Sequence, residues 1–238
     1  MKLQVLGSGS KGNCYILSNE KEALIIEAGI NISEVKKALS FDFKKVSGLL
    51  ITHEHGDHAK YMNLYLNYGI DIYASSGTHN TFAGYGWNKR HVLRTGEVQE
   101  VGNFKVNSFA TEHDCAEPIG FIIEHSDFGK LLFCTDSKTL PYKFKGLNHI
   151  LIEANYSFDL ISKSAQRDRV FQNHMEINST IDFLENNNLM NVNNIVLLHL
   201  SDSNSDAIGF KEKVEMFGVS NVFIAEKGLD IELSIDAF

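Results

Sequence analysis

Two prolines and three cysteines are all that this chain of 238 residues contains of either. With so little proline and no serine-rich tract, no segment reads as a linker. The length suits one α/β unit, and a single domain over residues 1–238 is expected. Cys14, Cys115 and Cys134 are odd in number and far apart. That spacing argues against a disulfide framework or a cysteine-only zinc site and fits a reducing cytosol. No apolar run approaches the ~20 residues of a membrane span. The start, MKLQVLGSGSKGN, has no apolar core of the kind a signal peptide needs. A cytoplasmic location without membrane contact is the expectation. A basic excess is lacking too: 22 Lys and Arg face 30 Asp and Glu, a formal net charge of −8. The charge balance alone does not suggest nucleic-acid binding, which needs clustered Lys and Arg. It omits bound metal, however; two divalent cations would add four positive charges at their site.

What is present is a succession of short apolar runs. LQVLG (3–7), CYIL (14–17), ALIIEA (23–28), FKVNSFA (104–110), IGFIIE (119–124), LLFCT (131–135), HILIEA (149–154), IVLLHL (195–200) and NVFIA (221–225) read as strands. GLLIT (48–52) is continuously apolar, as expected of a strand buried on both faces. Helical patterns lie at 33–39, 58–68 (ending at Gly69), 157–170, 177–186 and 205–217. Strands in two blocks, each closed by helices, predict a layered α/β sandwich rather than a simple alternating sheet.

Chemistry concentrates in ITHEHGDHAK (51–60), where His53, His55, Asp57 and His58 lie within six positions of one another directly after a buried strand. His53 and His55 are two apart and, in an extended turn, project the same way. Asp57 and His58 open the following helix, and Gly56 gives the turn its freedom. Imidazole and carboxylate donors crowded at a strand mouth suit zinc, manganese or iron. The bland alternative, a solvated polar loop, does not need that crowding.

The run H-x-H-x-D-H resembles the signature of the metallo-β-lactamase superfamily. Further residues of that pattern follow in order: His113 after FKVNSFATE, Asp136 after LLFCT, and His199 in IVLLH. The resemblance implies a four-layer αββα sandwich with two divalent metal ions, Zn2+ first, with Mn2+ or Fe2+ as alternatives. It implies that His53, His55 and His113 hold one ion, that Asp57, His58 and His199 hold the other, and that Asp136 bridges them. LGSGSKGNCYIL (6–17), HDCAEPIGF (113–121), IEANY (152–156) and LLHLSDSNSD (197–206) resemble the YycJ/WalJ-like group, including phage-borne forms, although QNHMEI (172–177) departs from that group's usual loop.

The function so implied is a metal-dependent hydrolase of phosphodiester bonds in nucleic acid, with DNA favoured and exonuclease action a variant, in which a bridging water becomes hydroxide between the metals. Asp57, Glu153 and His174 are the catalytic candidates. IEANY and NHMEI look like the Glu–His pair of tRNA-maturing relatives, in which the carboxylate orients an imidazole that protonates the leaving group; a His capping a helix start is the plainer reading of His174. The Gly7–Asn13 loop reads equally as a phosphate cradle or a tight turn. Lys138, Lys143 and Lys145, and Lys163, Arg167 and Arg169, form two basic segments that supply a phosphate path if they rim the cleft. His79, His91, His125 and His149 are expected to be structural or superficial. The alternative function is a glyoxalase-type ester, thioester or lactone hydrolase on the same metals, which usually adds C-terminal helices that the sequence after its last strand has no room for.

Overall fold

The computed structural model describes residues 1–82, 86–161 and 167–235. The first half of the chain builds one sheet. β1 (Lys2–Gly7), β2 (Cys14–Ser18), β3 (Ala23–Ile26), β4 (Val46–Leu50), β5 (Ile72–Ala74) and β6 (Arg90–Val92) follow one another across it, and β14 (Asp230–Glu232) returns to its edge beside β1. The second sheet runs in order β13 (Asn221–Ile224), β12 (Asn194–Leu198), β11 (His149–Glu153), β10 (Gly129–Cys134), β9 (Ile119–His125), β8 (Phe104–Ala110) and β7 (Val98–Val101).

Side-chain alternation along the strands makes the layers. Leu24, Ile26 and Leu50 face inward and join Phe121, Phe133, Leu151 and Val196 of the other sheet in one core. Their neighbours Ala23, Ile25, Leu49 and Ile51 face outward, against Val35 of α1 (Ile32–Ala38) and Met62 and Tyr65 of α3 (Met62–Asn67). On the far side Ile150, Ile152 and Leu197 pack under Phe183 and Leu184 of α6 (Ile177–Glu185) and Phe210 and Val214 of α7 (Ala207–Glu215). Burial on both faces explains the unbroken apolar runs of β3, β11 and β12, all of which have parallel partners. Helices, two sheets and helices again form the αββα sandwich expected from the motifs.

The pairing directions set the site. β3 and β4 are parallel, as are β10, β11 and β12, while β8 and β10 each run antiparallel to β9 and so share a direction. The carboxyl ends of β8, β10, β11 and β12 therefore lie along one edge of their sheet.

Two helical readings need correction. Residues 58–68 do not form one helix; the turn splits at Lys60–Tyr61 into α2 (Gly56–Ala59) and α3. Residues 158–160 form a turn and Tyr156 bridges to Glu176, whereas residues 167–170 of that reading are helical, in α5 (Arg167–Asn173); Lys163 lies outside the described residues. β5, β6, α4 (Ser76–Thr81) and β14 are additions, too short for a sequence period to show.

Candidate metal centre

Strand ends and the turns after them deliver every candidate ligand to one cleft. His53 and His55 follow β4, Asp57 and His58 lie in α2, His113 follows β8, Asp136 follows β10, and His199 follows β12. Imidazole and carboxylate atoms of His53, His55 and His113 form one group, and those of Asp57, His58, Asp136 and His199 a second, each within 4.8 Å of one another. Asp136 lies between them. Its Oδ2 is 3.9 Å from His53 Nε2 and 3.7 Å from His113 Nε2 of the first group, and 3.2 Å from His58 Nε2 of the second. Its Oδ1 is 3.6 Å from His199 Nε2, which is also 3.6 Å from Asp57 Oδ2.

Backbone strain marks the same places. Glu27, Asp136 and His199 have φ of 69°, 47° and 53°, a left-handed conformation rare for residues with a side chain. The surrounding hydrogen bonds hold them there: Glu27 N donates to Leu50 O at 2.9 Å, and His199 N to Ser8 Oγ at 2.9 Å.

Second partners fix the ring orientations. Thr52 Oγ1 donates to Glu27 Oε1 and so receives the proton of His53 Nδ1, 2.9 Å away, leaving His53 Nε2 with its lone pair toward Asp136. His113 Nδ1 lies 3.0 Å from Asn173 O, an acceptor only, so His113 Nε2 is likewise the lone-pair nitrogen. It faces His55 Nδ1 at 3.0 Å. Glu27 Oε1 sits 3.4 Å from His58 Nδ1, and Asn13 Nδ2 lies 3.0 Å from His58 Nε2. Asn155 Nδ2 donates to His199 O at 2.7 Å and lies 3.1 Å from His199 Nδ1.

The electrostatics follow from burial. Burial and the neighbouring imidazoles, His58 first, hold His53 well below the usual histidine range, hence neutral. Burial opposes ionisation of Asp136, but His199 and His58 outweigh it and hold the carboxyl well below its usual range. Asp57 is likewise held down, by hydrogen bonds to His199 and His58 that outweigh its burial. Within the described residues the ion pairs of Asp57, Asp136 and Glu153 are all with imidazoles, none with Lys or Arg. His53 Nε2 and His199 Nε2 are buried without a hydrogen-bond partner. Unpartnered imidazole lone pairs around buried carboxylates, in two groups with Asp136 of the second within 4 Å of His53 and His113 of the first, fit divalent cations.

Glu153 and His174 come together as the sequence suggested. His174 Nδ1 donates to Glu153 Oε1 at 2.7 Å, and the carboxylate is itself held by the backbone N–H of Ser137 (3.0 Å) and Met175 (3.2 Å). Burial lowers the His174 pKa, but the charge and hydrogen bond of Glu153 more than offset it and raise it to about 9. The ring stacks on His199 with centroids 5.3 Å apart. His174 follows α5, its N–H closing the last turn on Val170 O at 3.0 Å, and the start of α6 is capped by Glu176 instead.

The basic rim is thinner than expected. Arg169 lines the cleft of about 580 Å³ above the ligands and pairs with Asp114 at 3.5 Å. Lys143 and Lys145 line two separate cavities, and Arg167 stacks on Phe171. His79, His91, His125 and His149 have structural partners: His91 O, Asp71, Glu22 and Asn194 respectively. Glu27 is the residue that the sequence reading missed. IIEAG looked like a strand end, and only a carboxylate within an otherwise apolar run hinted at more.

Residues 7–139 match the family model described as the metallo-β-lactamase superfamily. This chain belongs to that superfamily of hydrolases. Within it the chain is similar to proteins of the YycJ/WalJ-like branch. It is 30% identical over 173 residues to exodeoxyribonuclease YycJ of Bacillus anthracis, an alignment that covers 68% of this chain and 65% of that protein, less than two thirds of its length. It is 26% identical over 257 positions to exodeoxyribonuclease WalJ of Streptococcus pneumoniae, covering 98% and 93%. Among solved structures, the metallo-β-lactamase fold protein YhfI of Bacillus subtilis superposes with a TM-score of 0.73 at 15% identity, covering 97% of this chain and 98% of that one. The short form of human tRNase Z superposes with a TM-score of 0.66 at 17% identity, covering 98% and 99%. These two likenesses are of fold. Among the described residues, no helix is long and apolar enough to cross a membrane.

Proposed function

We propose that this chain, as a single domain, is a phosphodiesterase that cleaves nucleic acid, DNA in the first place, with two divalent cations, zinc foremost. The observation that carries the reading is Asp136, whose carboxylate stands within 4 Å of imidazoles from both donor groups. His53, His55 and His113 would hold one ion, Asp57, His58 and His199 the other, and Asp136 both. Two such ions supply Lewis-acid polarisation of a phosphoryl oxygen and lower the pKa of a shared water. The names of the two bacterial relatives support DNA as the substrate.

The chain's own residues do the rest. Thr52, Glu27 and Asn173 O hold the imidazoles in the tautomers that leave donor nitrogens facing the cleft. Arg169, at the cleft wall, offers the cation that binds a substrate phosphate. His174, protonated at neutral pH through Glu153, gives a proton to the departing alkoxide oxygen. The test is a substrate panel with metal-reconstituted protein: single- and double-stranded DNA, RNA, bis-p-nitrophenyl phosphate and a thioester. Cleavage of DNA that stops with chelator and weakens with salt is expected. Thioester hydrolysis without cleavage of any phosphodiester overturns the reading.

A further inference from the structure

The metal cleft is not isolated. A second cavity of about 630 Å³ lies beside it, and Ser10, Leu200, Ser201 and Asp202 line both. The two border each other where the turn after β1 meets the loop after β12. Ser8 Oγ accepts from Tyr15 OH at 2.7 Å and from His199 N at 2.9 Å, so the wall of the second cavity is the structure that holds His199.

We propose that this second cavity is a nucleotide subsite of the active site, entered past the Lys11–Asp202 ion pair, and that it takes the nucleotide next to the scissile phosphate of a single strand. The proposal rests on the nuclease reading above. Leu6, Ile30 and Ile224 give the cavity apolar surface, and Ser8, Ser10 and Ser205 add hydroxyls. An amphipathic nucleoside suits that lining. Lys11 Nζ meets Asp202 Oδ2 at 2.9 Å from the opposite loop. The two side chains are 88% and 83% exposed, so water screens their attraction and a strand phosphate readily replaces Asp202 as the partner of Lys11. Lys227 lines the cavity too, opposed by Glu226; the balanced lining favours one strand with a single phosphate at the junction over a densely charged duplex.

The test is a length series of oligothymidylates, two to eight nucleotides, on the metal-loaded protein and on Lys11→Ala and Asp202→Asn. Binding is read in parallel by fluorescence anisotropy on the metal-loaded protein with phosphorothioate strands, which keep the charge and resist cleavage. For the unmodified protein kcat/KM rises when the strand grows past a dinucleotide. Lys11→Ala is expected to lose about tenfold on the longer strands, mainly in KM, and to reduce the salt slope of binding by about 0.7, the value of one single-strand phosphate contact. Asp202→Asn is expected to tighten the same strands severalfold. On bis-p-nitrophenyl phosphate, which does not extend past the metal cleft, Lys11→Ala, whose side chain lines the second cavity alone, should stay within about twofold. Losses of equal size on short and long substrates, or strand affinities that ignore both substitutions, overturn the subsite while leaving the nuclease reading intact. No cleavage of any oligonucleotide by the unmodified protein, with the small diester still hydrolysed, overturns both.

Discussion

The ordering of the two catalytic candidates outside the ligand groups is a matter of single residues. His174 depends on Glu153 for both its orientation and its proton. His174→Ala should therefore keep the fold and the metals but lose about 10²–10⁴ in rate on DNA, the usual worth of a general acid. Glu153→Gln should lose less. A substrate with p-nitrophenolate as leaving group departs unprotonated and should be far less sensitive; equal losses on both substrates would reduce His174 to a positioning role. A second residue-scale prediction concerns His149, fully buried in β11 with Asn194 Nδ2 3.0 Å from its Nδ1. Burial lowers its pKa to about 4. Neutral in both states above its ordinary value of about 6.5, it takes up a proton first in the unfolded chain as pH falls, so stability is lost from about pH 6.5 down through 4. The loss is about 3 kcal/mol. Urea midpoints of the chelated protein and of His149→Gln should diverge by that amount between pH 7 and pH 4, with the variant gaining relative to the parent at the acid end. Parallel curves would show that His149 does not carry this dependence.

At the scale of elements, the cleft depends on how closely the α2 turn approaches the loop after β3. A Cβ at Gly29 would fall 1.7 Å from Asp57 O, and Asn13 N donates to that same carbonyl at 2.7 Å. Gly29→Ala must push the Asp57–His58 turn outward. The expected outcome is a lower melting temperature together with loss of about one metal equivalent, read by metal analysis; a variant with full metal content and parent stability would show that the turn tolerates displacement. Such dependence explains what the sequence could disclose. The long strands were legible because burial on both faces writes continuous apolar runs, and His53, His55, Asp57 and His58 were legible because they crowd one turn. His113, Asp136 and His199 needed the family resemblance, since each stands alone after its strand. Glu27 was not legible, because its role comes from a left-handed backbone and from Thr52, two features with no period and no composition. The helix expected at 157–170 is absent over 157–161, where apolar spacing serves an aromatic cluster of Tyr156 and Phe158 with Phe171 of α5, and present over 167–170.

For the whole molecule, the ligands divide between the sheets. His53, His55, Asp57 and His58 belong to the strand–turn–helix of the first, and His113, Asp136 and His199 follow strands of the second. Cations held between them would tie the two halves of the sandwich at one edge, where the alternative is buried carboxylates whose described ion pairs are with imidazoles alone. Metal binding is then folding free energy. At a hundredfold excess over Kd a ligand specific to the native state stabilises it by about 2.7 kcal/mol. In a chain of this size that corresponds to about 5–11 °C of melting temperature, which chelation should remove. Asp136→Asn is the discriminating variant. Asparagine tolerates the left-handed φ of 47° at this position, so the backbone is spared while the shared carboxylate is lost. If Asp136 bridges, the variant should bind neither ion, melt near the chelated parent and show no further fall when chelator is added. If it retains one ion with a chelator-sensitive melting temperature, the two groups bind independently and Asp136 serves only one of them. The same substitution tests the electrostatic side of the proposed function: with a net charge of −8, an attraction for DNA would have to come from a loaded centre and the few cations around it. Asp136→Asn should therefore weaken strand binding at low salt as well as abolish cleavage, and undiminished binding would place the main DNA contacts elsewhere on the surface.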